Sequence, residues 1–401
     1  MRILQICNKV PFPPKDGGCI AMNNLTEGLI NEGNSVKVLA INTPKHFTEI
    51  DSLSDDYKKR TGIEAVFIDT SVKALPAFLN LFSSRSYNID RFYSKTFEAK
   101  LIEILKANAY DIIQLESLFV SMYVDAIQKF SSAKIVLRSH NIEHLVWERN
   151  AAVASNPIKK RYLKLLAGRL KKYETTVLNS FDAVLPITEE DKSWFVKNKF
   201  TKKIKTVPFG IDVSRLHISK KQAENPSSVF HIGAMDWQPN IEGVNWFLEK
   251  IWDKVLEKNP NVKLYLAGRG MSDEMKNISK TNVVVKGEVA NAHEFMMENG
   301  IMIAPLLSGG GMRVKIIEGM ALGKTIVTTK IGAEGIDAEN GKNILIADTE
   351  VEFAAAINGC LTDREFSNRI GEQAKELVRK KYDNQQICKE LTEFYNDLAK
   401  K

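Results

Sequence analysis

The sequence is short of the features that mark several large protein classes. Its four cysteines, Cys7, Cys19, Cys360 and Cys388, are scattered without C-x-x-C spacing, which argues against a disulfide framework and a cysteine metal knuckle. Its apolar runs are only strand-length, too short for a membrane-spanning helix. The opening MRILQICNKV is broken by Asn8, Lys9, Pro11, Pro13 and Pro14 before a leader's apolar region can form, so it reads as a first buried strand. No G-x-x-x-x-G-K-[ST] spacing and no dinucleotide fingerprint is present, which removes the two commonest glycine-rich nucleotide loops. No RNA- or DNA-binding motif is found either. A reducing, cytoplasmic setting fits what is left.

What is present suits an α/β protein with more than one core. The 401 residues are 44% hydrophobic and 26% charged, ordinary for a globular chain and long enough for two domains. The net charge of +7 is concentrated: residues 151–205 hold thirteen Lys/Arg against five Asp/Glu, a local +8, so the remainder is near neutral. That confines the question of an acidic partner to one region.

Apolar, β-branched runs alternate with helical patterns along the whole chain. The first series is 2–7, 35–41, 64–70, 110–117, 134–140, 183–189 and 203–210, and the second is 229–234, 263–268, 283–289, 300–306, 325–329 and 344–348. Nearly continuous apolar character predicts parallel strands covered on both faces. Helices are expected between them, among them 21–32, 97–108, 243–258, 312–322 and 351–361. The polar stretch 212–228 separates the two series. The fold class expected is therefore α/β, with two Rossmann-like, doubly wound domains whose ligand sits in a cleft at the carboxyl ends of the strands.

One segment carries the clearest chemistry. The run 300–306 ends in Ser308-Gly309-Gly310-Gly311, followed by Met312 and a helix bearing Arg313, Lys315 and Glu318. Consecutive glycines let a backbone approach a ligand and offer N–H groups, and a helix N-terminus favours an anion. Two cations at the same end suit a diphosphate. Glu318, three residues beyond Lys315, lies on the same face and is placed to accept hydrogen bonds from ribose hydroxyls.

The chain resembles the retaining glycosyltransferases of family 4, which have the GT-B fold. The resemblance covers nearly its full length and rests on GGGMRVKIIEGMALGKTIVTT (309–329), KIGAEGI (330–336), HIGAMDWQPNIEGVNWF (231–247), LAGRG (266–270), RSHNIEH (138–144) and PFPPKDGG (11–18). It implies domains at 1–210 and 229–380 facing a central cleft, a linker at 211–228, and a C-terminal helix, 381–401, crossing back to the first domain. Many relatives carry two glutamates eight positions apart; here Glu318 is the second and Gly310 stands at the first. Many also carry Arg and Lys after the first strand of the second domain, where GAMDWQPN (233–240) has no basic residue. Arg313 and Lys315 become the cations for the diphosphate, with the backbone of Gly309, Gly310, Gly311 and Met312 beside them.

Four further places come into view. Gly17 and Gly18 form a turn after the first strand, read either as a backbone contact to phosphate or acceptor or as a rigid connector. His140 follows the strand 134–139; the resemblance implies that it reaches the sugar or its diphosphate, and a packing or capping role stays open. Arg269 and the loop 286–289, ending at Val289, follow two second-domain strands, and the resemblance implies that the loop holds the base through backbone groups. Trp237 reads as a core residue. The basic segment Pro157–Lys172 alternates Ile158, Tyr162, Leu165, Leu166 and Leu170 with seven cations. That pattern fits either an anionic membrane surface or a core-packed helix. Residues 74–82, ALPAFLNLF, read as an acceptor-side or membrane-facing surface.

The resemblance thus implies transfer from a UDP- or GDP-sugar to a hydroxyl of a glycan or lipid-linked acceptor in cell-surface polysaccharide synthesis. His140, Arg313 and Lys315 would serve the chemistry, with no tightly bound cofactor, no metal and no nucleic-acid partner. The protein would be cytoplasmic or peripheral on the inner membrane face. A sugar-nucleotide epimerase of the same fold and a non-catalytic sugar-nucleotide-binding protein are the alternatives.

Overall fold

A computed structural model describes residues 1–14, 16–216, 225–309 and 311–400; Gly310 therefore lies outside the described residues. The chain divides into two compact units, Met1–Gly210 with Asn384–Lys401, and Ile211–Asp383.

The first unit is built on seven strands: β1 (Arg2–Cys7), β2 (Ser35–Asn42), β3 (Glu64–Phe67), β4 (Ile112–Glu116), β5 (Lys134–Ser139), β6 (Ala183–Pro186) and β7 (Lys203–Ile204). They pair in the order β3-β2-β1-β4-β5-β6-β7, all parallel. Strand alternation loads both faces. Leu4, Ile6, Leu39 and Ile41 join one apolar cluster, whereas Ile3, Cys7, Val36 and Val38 join the other. The order reverses between β1 and β4, the point where ligands gather in open sheets.

The second unit repeats the plan with β8 (Asn225–Ile232), β9 (Leu264–Ala267), β10 (Val283–Gly287), β11 (Asn299–Ala304), β12 (Ile326–Thr328) and β13 (Leu345–Ile346). Their order is β10-β9-β8-β11-β12-β13, again parallel, and the reversal falls between β8 and β11. All thirteen expected strands are therefore present. β8 begins at Asn225, earlier than the expected 229, because its register reaches Asn299 of β11 and Ser228 donates to Asn299 at 3.2 Å. It takes the last residues of the stretch expected as linker.

Several helix starts differ from expectation. The first helix runs Gly17–Asn31, capped by Asp16, whose carboxylate accepts from the Cys19 N–H at 2.8 Å; Gly17 and Gly18 are its first turn, not a preceding loop. The helix expected from 312 runs Val314–Ala321, with Arg313 at its N-cap position. The C-terminal helix Asn384–Ala399 belongs to the first unit. There Cys388, Leu391 and Tyr395 enter the core, and Asn384 donates to the Asn24 carbonyl at 2.7 Å. A Cβ on Gly28 would meet the Cys388 Sγ at 2.3 Å, so glycine there permits the helices to touch.

Candidate functional site

In the second unit the loops after β8 and β11, the two strands flanking the reversal, meet at a cluster of cations. β11 leads through Pro305 and Leu306 to the glycine loop. Gly309 and Gly311 adopt positive φ, 98° and 83°, which only glycine accepts without strain. The Arg313 guanidinium folds back to donate to the Gly311 carbonyl at 2.6 Å and lies 5.4 Å from the centre of the Trp237 ring. A Cβ on Gly309 would meet that ring at 3.0 Å. Trp237 is thus not a core residue: it is 37% exposed, and its ring is a platform for Arg313.

Lys315 stands in the first turn of Val314–Ala321. Its Nζ donates to the Asn240 Oδ1 at 2.8 Å, and the Asn240 amide donates to the Ala234 carbonyl, also at 2.8 Å. Burial, with repulsion from Arg313 second, pushes the Lys315 pKa down to about 7. A cation held so cheaply in its neutral form is poised to take a proton when an anion arrives. A Cβ on Gly233 would come within 2.9 Å of the Lys315 Nζ, so glycine there leaves room for the ammonium. The segment 233–240, without a basic residue, contributes instead the amide and the indole that hold the two cations. No side chain of the Arg313 position caps the helix.

Glu318, on the same helix, faces His293 at 3.6 Å. That contact raises the His293 pKa against the opposing effect of burial. Arg269 is exposed, and its carbonyl accepts from the Met235 N–H at 2.8 Å, so β9's end adjoins the β8 loop. Val289, beyond β10, and Met312 are half-buried and pack against the second unit's core.

In the first unit His140 sits at the end of β5, and its Nε2 donates to Glu116 at the end of β4, 2.6 Å away. Glu116 and Arg138 are fully buried and 3.4 Å apart. Burial alone would raise the Glu116 carboxyl, but Arg138 and then His140 outweigh it and lower its pKa. Burial lowers the His140 pKa, opposed by Glu116. A neutral imidazole donating through Nε2 keeps Nδ1 as an acceptor. Behind it the chain of bonds continues: Gln114 donates to Glu116, and the Tyr395 hydroxyl to Gln114. The C-terminal helix is thus wired to His140.

The turn after β1 is differently made. Asp16 accepts from Lys9 at 2.7 Å and from His46 at 2.8 Å, and a Cβ on Gly18 would meet the Lys9 Nζ at 2.9 Å. His144 does not join His140; its Nδ1 pairs with Glu174 at 2.6 Å. Glu143 is not its partner: burial and repulsion from Glu174 push the Glu143 pKa up to about 8. Glu174 belongs to the basic helix, which runs Pro157–Val177. Leu166 and Leu170 of its expected stripe are buried, while Ile158 and Leu165 are exposed. Its second half is therefore core-packed.

Glu116, Arg138, Asn240 and His293 were not identified from the sequence. The available signal for the first two was a charge inside an otherwise apolar strand, since such a charge needs a buried partner.

Two family descriptions match the chain: "Glycosyltransferase Family 4" over residues 17–215 and "Glycosyl transferases group 1" over residues 226–363. A 44.6 kDa protein of the cps region of Klebsiella pneumoniae is 24% identical over 96% of this chain and 97% of its own length. Among solved structures, sucrose-phosphate synthase from Thermosynechococcus elongatus superposes with a TM-score of 0.68 at 15% identity, covering 99% of both chains. Anabaena HepE, determined with UDP-glucose, gives 0.62 at 16% identity, covering 99% of this chain and all of its own. These likenesses bear out a fold of two Rossmann-like domains of the GT-B type.

Proposed function

The chain belongs to the family 4, group 1 glycosyltransferases, and from that premise we propose that it moves a sugar, with retention of anomeric configuration, from a UDP- or GDP-sugar to a hydroxyl of a glycan or lipid-linked acceptor. One observation carries the donor site: Arg313 and Lys315 are held by Trp237 and Asn240 beside a positive-φ glycine loop at a helix N-terminus. Breaking the anomeric bond builds negative charge on the departing diphosphate. Cations and N–H groups fixed in advance stabilise that charge without reorganising. Lys315, neutral or charged near pH 7, gains its proton as the diphosphate binds. Glu318 serves the ribose hydroxyls and exchanges its contact with His293 for them. Backbone groups of the loop at Val289, together with Arg269, serve the base side. His140, oriented by Glu116, serves the sugar or its diphosphate, and Gly17 and Gly18 offer backbone groups to phosphate or acceptor.

The UDP-glucose complex of HepE supports the nucleotide-sugar donor, and the cps-region relative supports a role in cell-surface polysaccharide synthesis. We place the reaction on the cytoplasmic side, the basic helix meeting an anionic membrane face through its first half. Support for that contact is the exposed Ile158 among Lys159, Lys160 and Arg161. A thermal-shift screen over sugar nucleotides, followed by a transfer assay, tests the reading, because a ligand of the folded state raises apparent stability. Arg313→Ala and Glu318→Ala are expected to weaken donor binding or turnover about tenfold or more. Unchanged kinetics in both, or acceptor-independent epimerisation of the donor, would sink it.

A further inference from the structure

The first unit holds a second strand-end feature that the donor reading does not use. A cavity of about 400 Å³ opens at the carboxyl ends of β1, β2 and β3. Lys9, Lys45, His46 and Arg91 line it, with Thr43 and Ser71 among the polar groups, and no Asp or Glu among the described residues lines it. Lys9 and His46 share one carboxylate, Asp16; burial and then Lys9 hold the His46 pKa down, so the cations are Lys9, Lys45 and Arg91 against that one anion. The Arg91 Nε is buried with no hydrogen-bond partner among the described residues. A guanidinium stays charged in such a place, and a buried unsatisfied donor is costly unless a ligand answers it.

The rim of this cavity is apolar on one side. Val72 lines it, and the chain then enters the helix Ala74–Asn80. Val72, Leu75, Phe78, Leu79 and Phe82 are all more than half exposed. That helix is held in place, since Arg169 donates to the Asn80 and Leu81 carbonyls at 2.8 and 3.0 Å. An anion site bordered by a fixed, exposed apolar helix matches an amphiphile: a phosphorylated head and a hydrocarbon tail.

We propose that this cavity binds the phosphate group of a lipid-linked acceptor, with the tail lying along 74–82. The proposal rests on the glycosyltransferase reading and names its acceptor class. Isothermal titration of the full chain with farnesyl diphosphate and with inorganic pyrophosphate tests it, with a nucleoside diphosphate as the separate donor-site probe. Farnesyl diphosphate is expected to bind more tightly than pyrophosphate. Arg91→Ala should weaken both about tenfold or more, and Lys45→Ala, on an exposed side chain, should act in the same direction without touching the core. Phe78→Ser should erase the advantage of the farnesyl chain. Equal binding of the two phosphates by the unaltered protein would overturn the lipid half. Binding of neither, or binding indifferent to both cation substitutions, overturns the site even if the nucleoside diphosphate binds. Phosphate binding without nucleoside diphosphate binding leaves the site standing and removes the donor reading.

Discussion

Two helix N-termini, each following a strand at a sheet's reversal point, are built in opposite ways. After β1 the helix Gly17–Asn31 carries its own anion: the Asp16 carboxylate caps it and also accepts from Lys9 and His46. After β11 the helix Val314–Ala321 has no such cap, and the residues at its start are the cations Arg313 and Lys315. The polar clusters beside them follow suit. His140 and Arg138 are answered by Glu116, whereas Lys315 donates to the neutral amide of Asn240. The dipole of a helix start attracts negative charge in either case. Where the chain supplies that charge itself, the terminus is already answered; where it supplies cations instead, it is left open to the anion of the proposed donor.

The strongest way to break this contrast is to give the second terminus its own anion. Arg313→Asp should cap the helix, occupy the diphosphate position and lower transfer by about a hundred- to thousandfold. Steady-state kinetics with the thermal-shift donor measures it. A variant with near-normal turnover would show that the terminus does not carry the diphosphate. Next comes removal of the anion from the first unit. Glu116→Leu strands the buried Arg138 and should cost about 3–5 kcal/mol in urea unfolding, while Glu116→Gln, which keeps a hydrogen-bond acceptor, should cost less. A loss below about 1 kcal/mol would mean that the cluster is not closed by that carboxylate.

A third measurement uses pH. The Lys315 pKa is pushed down to about 7, and a bound diphosphate favours the charged form, so binding takes up a proton. Nucleoside diphosphate affinity should fall as pH rises above about 7, by up to roughly tenfold per pH unit. The slope should vanish in Lys315→Arg, whose charge does not titrate. The ligand-free fold should show the converse trend. The unfolded chain holds the lysine proton up to its ordinary range, so stability rises with pH from about 7 towards about 10. A flat affinity profile would place the diphosphate elsewhere.

The sequence disclosed one kind of information well and another hardly at all. Apolar runs marked all thirteen strands because burial on both faces leaves a local record. The glycine loop with Arg313 and Lys315 was equally visible, since strand, loop and helix are contiguous. Partners brought together by sheet order were not. Trp237 and Asn240 reach the cations only because β8 pairs with β11, and Glu116 reaches Arg138 only because β4 pairs with β5. The first helix began earlier than its apolar periodicity because its start is set by Asp16, a cap that lies outside the periodic segment. His144 likewise finds its partner not in Glu143, its chain neighbour, but in Glu174 of a helix thirty residues on.

The smallest expected effect probes Asp16 itself. Burial works against its charge, but Lys9 and the Cys19 N–H hold its carboxyl well below the usual range, with His46 adding to them. Asp16→Ala removes the cap and should cost about 0.5–2 kcal/mol; the partly exposed Lys9 pair adds little to that. The sign with pH follows from the lowered pKa. The stabilisation is present above the unfolded carboxylate's pKa, about 4, and fades as pH falls below it. The stability curves of the two proteins should therefore converge in acid. The substitution also releases Lys9 and His46 from their shared carboxylate, turning a terminus with its own anion into one flanked by the Lys9 cation. Pyrophosphate should then bind the first unit more tightly than it binds the unaltered protein. Were it to bind no better, the built-in anion would not be what separates the two termini.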